Sequence, residues 1–367
     1  MSPESRILNP NILGLRGVCA FSIVLMHCYD GPRENGWFLK PDGGSAWYLD
    51  FAAMSLQSSV DLFFMISGFL ILPAIIRAGS VAKFAANRFV RIYPVFFLST
   101  VPVLLLGGLG GYRYLAGLDI VHWSLYALAN LLMLPGVFRI HAANRVAWTL
   151  SYELAFYIIV AVIFGLAKFC NRRLLSTIGI CLVVPLLYRH PSTIAFLAGA
   201  LVWKLDDRFR DIAQGPGAWL LLPLIVAFFV LTEAARRIHP IDGWVYAGYF
   251  GAFVIGVPLF YLLTNSLNSS TSILRNRIAR YLGLISYSLY LWHLIVMFFA
   301  KKIALQLPAE TLPIWRVALS SLLAIPLSVA VAHVSYKLIE CRLADWMRRT
   351  FFGKPLETSA GTSRVVV

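Results

Sequence analysis

The chain has 367 residues, of which 59% are hydrophobic and 13% charged, with a formal net charge of +15. Soluble domains carry about 25% charged residues, so this composition excludes a soluble globular protein and points to an all-α, polytopic membrane protein. The basic residues fall in short clusters between apolar runs, as the positive-inside rule expects, which argues against nucleic acid as a partner.

Residues 1–10 form a short polar lead, and the first apolar segment runs from Leu13 to Tyr29. Arg16 interrupts its apolar core, and Tyr29-Asp30-Gly31-Pro32 offers no small-residue cleavage site, so the segment is expected to be retained as a helix. Arg16 and His27 are separated by almost three helical turns and share one face, roughly 16 Å apart along the axis. Ionisable side chains within a span are costly and usually functional. The structural alternative is a snorkelling arginine and a hydrogen-bonded core histidine. Asp30 to Asp50, rich in Gly, Pro and Trp, reads as a surface loop with Trp37 and Trp47 at the interface. The second span covers residues 59–76. A basic stretch with Arg77, Lys83, Arg88 and Arg91 follows, ending at Tyr93-Pro94, and the third span is Val95–Leu109. Residues 121–137 are apolar but too short to span comfortably, and read as a re-entrant or interfacial helix. Further spans are expected at 148–167, 174–188, 192–205, 217–232, 244–264, 281–300 and 314–338.

These segments give about ten transmembrane helices. If residues 121–137 do not cross, every large basic cluster falls on the side of the N-terminus, and both termini are cytoplasmic. Residues 1–345 then form the membrane domain, and 346–367 a cytoplasmic, disordered tail. The plasma (bacterial inner) membrane is the expected location. No fixed-period repeat and no clear inverted repeat is present.

The five cysteines include no C-x-x-C pair, which supports neither a disulfide framework nor a zinc site. His122, His141, His190, His239 and His333 are isolated, and no metal is expected. In this topology His27, Asp61 and Glu153 face the exterior, whereas Arg16, Arg88 and Arg91 lie toward the cytoplasm. That segregation suggests a cytosolic anionic donor and an acceptor attacked further across the membrane.

Five pieces stand in order: Leu15-Arg16-Gly17 and His27, with ten residues between Arg16 and His27; Val60-Asp-Leu-Phe-Phe-Met-Ile-Ser-Gly-Phe-Leu-Ile71; Arg88-Phe-Val-Arg91 with Tyr93-Pro94; Trp148-Thr-Leu-Ser-Tyr-Glu153 with Phe156-Tyr157; and Gly283-Leu-Ile-Ser-Tyr-Ser-Leu-Tyr-Leu-Trp-His293. Together, over about residues 10–340, they resemble the acyltransferase-3 family of integral-membrane O-acyltransferases, which modify surface polysaccharides and related glycans. One departure is that the family often pairs acidic residues after the Trp-Ser-Leu segment, whereas here Leu154 follows Glu153. The hydrolase-like domain fused to some members is not found within these residues.

The resemblance implies acyl-CoA, most simply acetyl-CoA, as donor and a surface glycan or lipid-linked sugar as acceptor. It makes His27 the general base, suited to the task because imidazole ordinarily titrates at about 6.5. Arg16, Arg88 and Arg91 become candidates for CoA phosphates, since guanidinium offers paired donors to phosphate; topology anchoring is their alternative role. Ser67 joins the donor set, beside a Gly68 that permits close approach, and no serine acyl-enzyme is expected. Glu153 and Asp61 are catalytic candidates, with a helix-start carboxylate as the structural alternative. Trp148, Tyr287, Tyr290 and His293 are secondary candidates. Competing expectations are another acyl group such as succinyl, a small glycosylated acceptor, a secondary transporter lined by the same polar residues, or a membrane scaffold.

Overall fold

A computed structural model describes residues 9–34, 36, 45–109, 111–112, 114–115, 117–205, 208–215, 219–238, 244–266, 271–308 and 311–352. Trp37, His239 and residues 353–367 lie outside them. The described residues form helices α1 (Pro10–Glu34), α2 (Ser45–Ser55), α3 (Ser59–Ala78), α4 (Val81–Leu106), α5 (Ile120–Leu131), α6 (Trp148–Leu166), α7 (Arg172–Arg189) and α8 (Ile194–Leu205). They continue as α9 (Arg210–Gln214), α10 (Leu221–Arg237), α11 (Trp244–Asn265), α12 (Ser272–Arg275), α13 (Arg277–Leu284), α14 (Ser286–Ala304), α15 (Pro313–Ser335) and α16 (Ala344–Phe352). A π-helical stretch, Tyr336–Leu343, joins the last two.

Among the described residues six helical stretches are long and apolar enough to cross a membrane, and α13 with α14 makes a seventh if a 76° bend lies within one span. The expected segments at 174–188 and 192–205 are helical too, and that at 217–232 is helical from Leu221, but α7 carries Arg172, Arg173 and Arg189 within its 18 residues and the other two helices have only 12 and 17 residues. A count of ten spans therefore exceeds what length and composition establish.

Three local expectations change. The surface loop is partly helical, because α1 continues to Glu34 and α2 begins at Ser45. Lys83, Arg88 and Arg91 of the basic stretch belong to the third span, whereas Arg77 lies in the last turn of α3: α4 runs unbroken from Val81 through Pro94 and Pro102. Lipid offers no competing partner to a broken helix, so interior prolines are tolerated there at the loss of single backbone bonds. The span expected over 281–300 is instead bent after Leu284. Arg277 and Arg280 give α13 a charged face, and its small residues Ala279 and Gly283 are buried.

The chain groups into two compact units, residues 9–73 with 187–330, and residues 74–186 with 331–352. In the first, small residues let helices touch through their backbones. A Cβ on Gly17 would lie 2.1 Å from the carbonyl oxygen of Ala279 on α13. One on Gly68 of α3 would lie 2.0 Å from that of Phe196 on α8, and one on Gly199 1.8 Å from that of Met65. Such contacts substitute for the hydrophobic effect, which lipid removes. Gly199→Val is therefore expected to force α3 and α8 apart and to lower stability by about 1–3 kcal/mol or more, the cost of overpacking. Thermal denaturation in detergent checks this, and an unchanged midpoint would refute the close crossing.

Helix α1 is clamped at both ends. At its start, Asn11 Nδ2 donates to the Ser266 carbonyl at 2.7 Å, and Arg275 Nη1 donates to Asn11 Oδ1 at 3.3 Å. At its end, Arg33 bonds both Asp30, at 2.7 Å, and Asp50 of α2, at 3.2 Å. The His27 backbone is thereby fixed along and about the helix axis.

In the second unit, Asn130 at the end of α5 accepts from the Ala143 amide at 2.7 Å and donates to the Tyr126 carbonyl at 3.0 Å. Ser151 and Tyr152 at the start of α6 donate to the carbonyls of Pro135 and Gly136. Gly136 has φ +104°, and any Cβ there would strike the Trp148 carbonyl at 2.4 Å. The turn thus seats Trp148-Thr-Leu-Ser-Tyr-Glu153 on the helix start.

Candidate active site

In the first unit, His27 on α1 and His293 on α14 bring their rings to 5.3 Å between centroids, tilted by 33°. His27 is half-buried, whereas His293 is fully buried. Nδ1 of His293 lies 3.0 Å from the Leu289 carbonyl oxygen. A carbonyl only accepts, so Nδ1 carries the proton and the lone pair sits on Nε2. Tyr290 extends the cluster, 6.1 Å from His293 and 5.9 Å from Phe63 of α3. Tyr287, one turn earlier on α14, is half-buried, as are Arg16 on α1 and Ser67 on α3. The glycine beside Ser67 makes the contact with α8, so the Ser67-Gly68 pair sits at a backbone crossing.

Asp61 belongs to a different constellation. Arg236 Nη1 meets its carboxylate at 2.9 Å, Arg236 Nη2 donates to Ser58 Oγ at 2.5 Å, and Arg236 Nε reaches Glu233 at 3.3 Å. Arg237 bridges Glu233 at 2.7 Å and Asp50 at 2.9 Å, and its guanidinium lies over the Phe51 ring at 5.0 Å. Arg33 and Asp30 complete an alternating chain of four acids and three arginines. It ties together the end of α1, α2, the start of α3 and the end of α10.

In the second unit, Tyr157 donates to Glu153 one turn before it on α6. The Arg88 guanidinium of α4 lies 5.6 Å from the centroids of both Tyr157 and Phe84. Arg88 Nε is buried without a hydrogen-bond partner among the described residues. Arg91, on the next turn, is half-buried. The sequence pattern places Glu153 toward the exterior and the arginines toward the cytoplasm; here Glu153 and Arg88 both meet Tyr157. Trp148 packs edge-on against Tyr152 at 5.5 Å.

The family description "Acyltransferase domain" of the acyltransferase-3 family matches residues 9–333. The chain belongs to this acyltransferase family. Nodulation protein 10 of Rhizobium leguminosarum bv. viciae is 23% identical over 327 residues, covering 77% of this chain and 81% of that protein. The exopolysaccharide production protein ExoZ of Rhizobium meliloti is 26% identical over 270 residues, covering 68% and 79%. The O-acetyltransferase OatA of Staphylococcus aureus is 23% identical over 245 residues, 60% of this chain but only 39% of that longer protein. No solved structure matches.

The acyltransferase thus carries an imidazole pair in one unit and a tyrosine-linked Glu–Arg cluster in the other. Among the described residues no group of three or more His, Cys, Asp or Glu side chains could hold a metal. Sequence reasoning missed the partners. Tyr157 stands at i+4 from Glu153, and Arg236 and Arg237 at i+3 and i+4 from Glu233, spacings that put side chains on one face. Asp50 and Arg33 lay in what reads as a loop.

Proposed function

We propose that this acyltransferase moves an acyl group, most simply acetyl, from cytosolic acyl-CoA to a hydroxyl of a surface or exported glycan. The half-buried His27 ring, fixed on a helix clamped at both ends and backed by a second imidazole, carries the proposal. His27 takes the proton of the acceptor hydroxyl as its oxygen attacks the thioester carbonyl. The tetrahedral intermediate expels the CoA thiolate, and the His27 imidazolium returns the proton to sulfur. Arg16, Arg88 and Arg91 are assigned to the donor's phosphates and Ser67 to the donor, as the family resemblance implies. Glu153, held by Tyr157, grips the acceptor, with Trp148, Tyr287 and Tyr290 as further contacts. Asp61 holds Arg236. Names of relatives that include an exopolysaccharide production protein and an O-acetyltransferase favour a glycan acceptor and acetyl transfer.

The proposed topology has ten spans with both termini cytoplasmic, in the plasma membrane. The ionic chain supports its parity: the start of α3 and the end of α10 meet, so an even number of crossings connects them. If α7, α8 and α10 cross as proposed, they supply an even number together with α3, α4 and α6, and a crossing by α5 would make it odd. A secondary transporter would be favoured by discontinuous helices in corresponding halves; among the described residues one bent pair is present.

Membranes incubated with labelled acetyl-CoA and surface glycan test the reading: label is expected in glycan, and its absence with intact protein would overturn it. Arg88→Ala is expected to weaken acetyl-CoA binding by roughly 10–100-fold, the size of a hydrogen bond to a charged group. Arg88→Lys should restore little, because a lysine lacks the planar fork and stacks poorly between Phe84 and Tyr157. Donor titrations check both variants. An unchanged donor KM would return Arg88 to a topology anchor.

A further inference from the structure

We infer that His293 is a positioning residue for His27, an acceptor that fixes which ring nitrogen of the base faces the substrate; this rests on His27 acting as the base. Three observations converge. His293 is fully buried while His27 is half-buried, so of the two rings His27 is the one open to a substrate. The Leu289 carbonyl, 3.0 Å from Nδ1, locks the tautomer that leaves Nε2 as a lone-pair acceptor. That Nε2 has no hydrogen-bond partner among the described residues, although a buried polar atom without one is costly.

The 5.3 Å centroid separation is about what two imidazole radii and one N–H···N bond add up to. A His27 N–H aimed at Nε2 would complete the bond across this separation. His27 then donates one N–H to His293 Nε2 and presents its other nitrogen, unprotonated, to the acceptor hydroxyl. During transfer the hydroxyl proton passes to His27 and on to the departing thiolate. His293 neither gains nor loses a proton; it bears part of the imidazolium charge through a hydrogen bond. The second-layer partner of a histidine commonly sets its tautomer in this way.

The test compares His293→Phe, which keeps an aromatic volume without a lone pair, with His293→Gln, whose side-chain carbonyl can accept near the Nε2 position. Acetyl transfer from labelled acetyl-CoA is measured in purified full-length protein, with thermal midpoints as a check on folding. His293→Phe is expected to lose about tenfold to a hundredfold in kcat, one charge-assisted hydrogen bond, with the donor KM unchanged. His293→Gln is expected to recover most of that loss. A Phe variant as active as wild type, or a Gln variant as slow as the Phe variant, would overturn the assignment. His27→Ala separates the two ideas. If it stays active, the base itself is wrong and this inference goes with it; if it is dead while His293→Phe is unimpaired, only the positioning role fails.

Discussion

His27→Ala is expected to reduce acyl transfer by about 10²–10⁴-fold, the usual contribution of a positioned general base, while the protein still inserts and binds donor. The expectation follows from where the ring sits. The helix that carries it is held at its start by Asn11 and Arg275 and at its end by Arg33, Asp30 and Asp50. Loss of the imidazole leaves all of those bonds intact, since none of them uses His27. A fall in kcat without a fall in the amount of folded protein is the signature. A variant that folds and transfers acetyl at the normal rate would remove the base from the mechanism.

The first helix was legible because its evidence is local. An arginine and a histidine almost three turns apart share a face whatever the rest of the chain does. Nothing local announced the partner of His27, which comes from α14, or the arginine that takes Asp61, 175 positions away. Arginines in the last turn of an apolar helix look like topology anchors, and Arg236 becomes a buried ion-pair partner only when the end of α10 meets the start of α3. The break before α14 was equally hidden, since Ser286 and Tyr287 are ordinary helix residues. The bend becomes intelligible only when α13 is seen packing its small residues on α1 through Gly17 and Gly283 while Arg277 and Arg280 point away. The Tyr157–Glu153 pair is the opposite case, one turn apart and readable from spacing alone.

That break also bears on function. The segment from Gly283 to His293 holds the bend near its start and the buried imidazole at its end. The sharp turn sets the direction in which α14 leaves α13, and so the depth at which His293 meets His27. A straight helix over 281–300 would carry the same residues without that freedom to aim them.

Asp61→Leu is expected to be strongly destabilising, by about 3–5 kcal/mol, because it leaves the Arg236 guanidinium buried with one carboxylate partner fewer. The side chain of Asp61 is 5% exposed and that of Arg236 17%, so water cannot replace the lost partner. Pairing Asp61→Leu with Arg236→Met removes both charges and is expected to recover most of that loss, since buried ion pairs often exchange for apolar residues of similar volume at little net cost. Glu233 keeps Arg237 in the double variant, at 2.7 Å. Thermal unfolding in detergent reads stability, and acetyl transfer reads function, on the same preparations. With Asp61 committed to Arg236, the double variant is expected to be both stable and active. A stable but inactive double variant would show instead that the carboxylate acts on the substrate, and would move Asp61 from the scaffold into the chemistry beside His27.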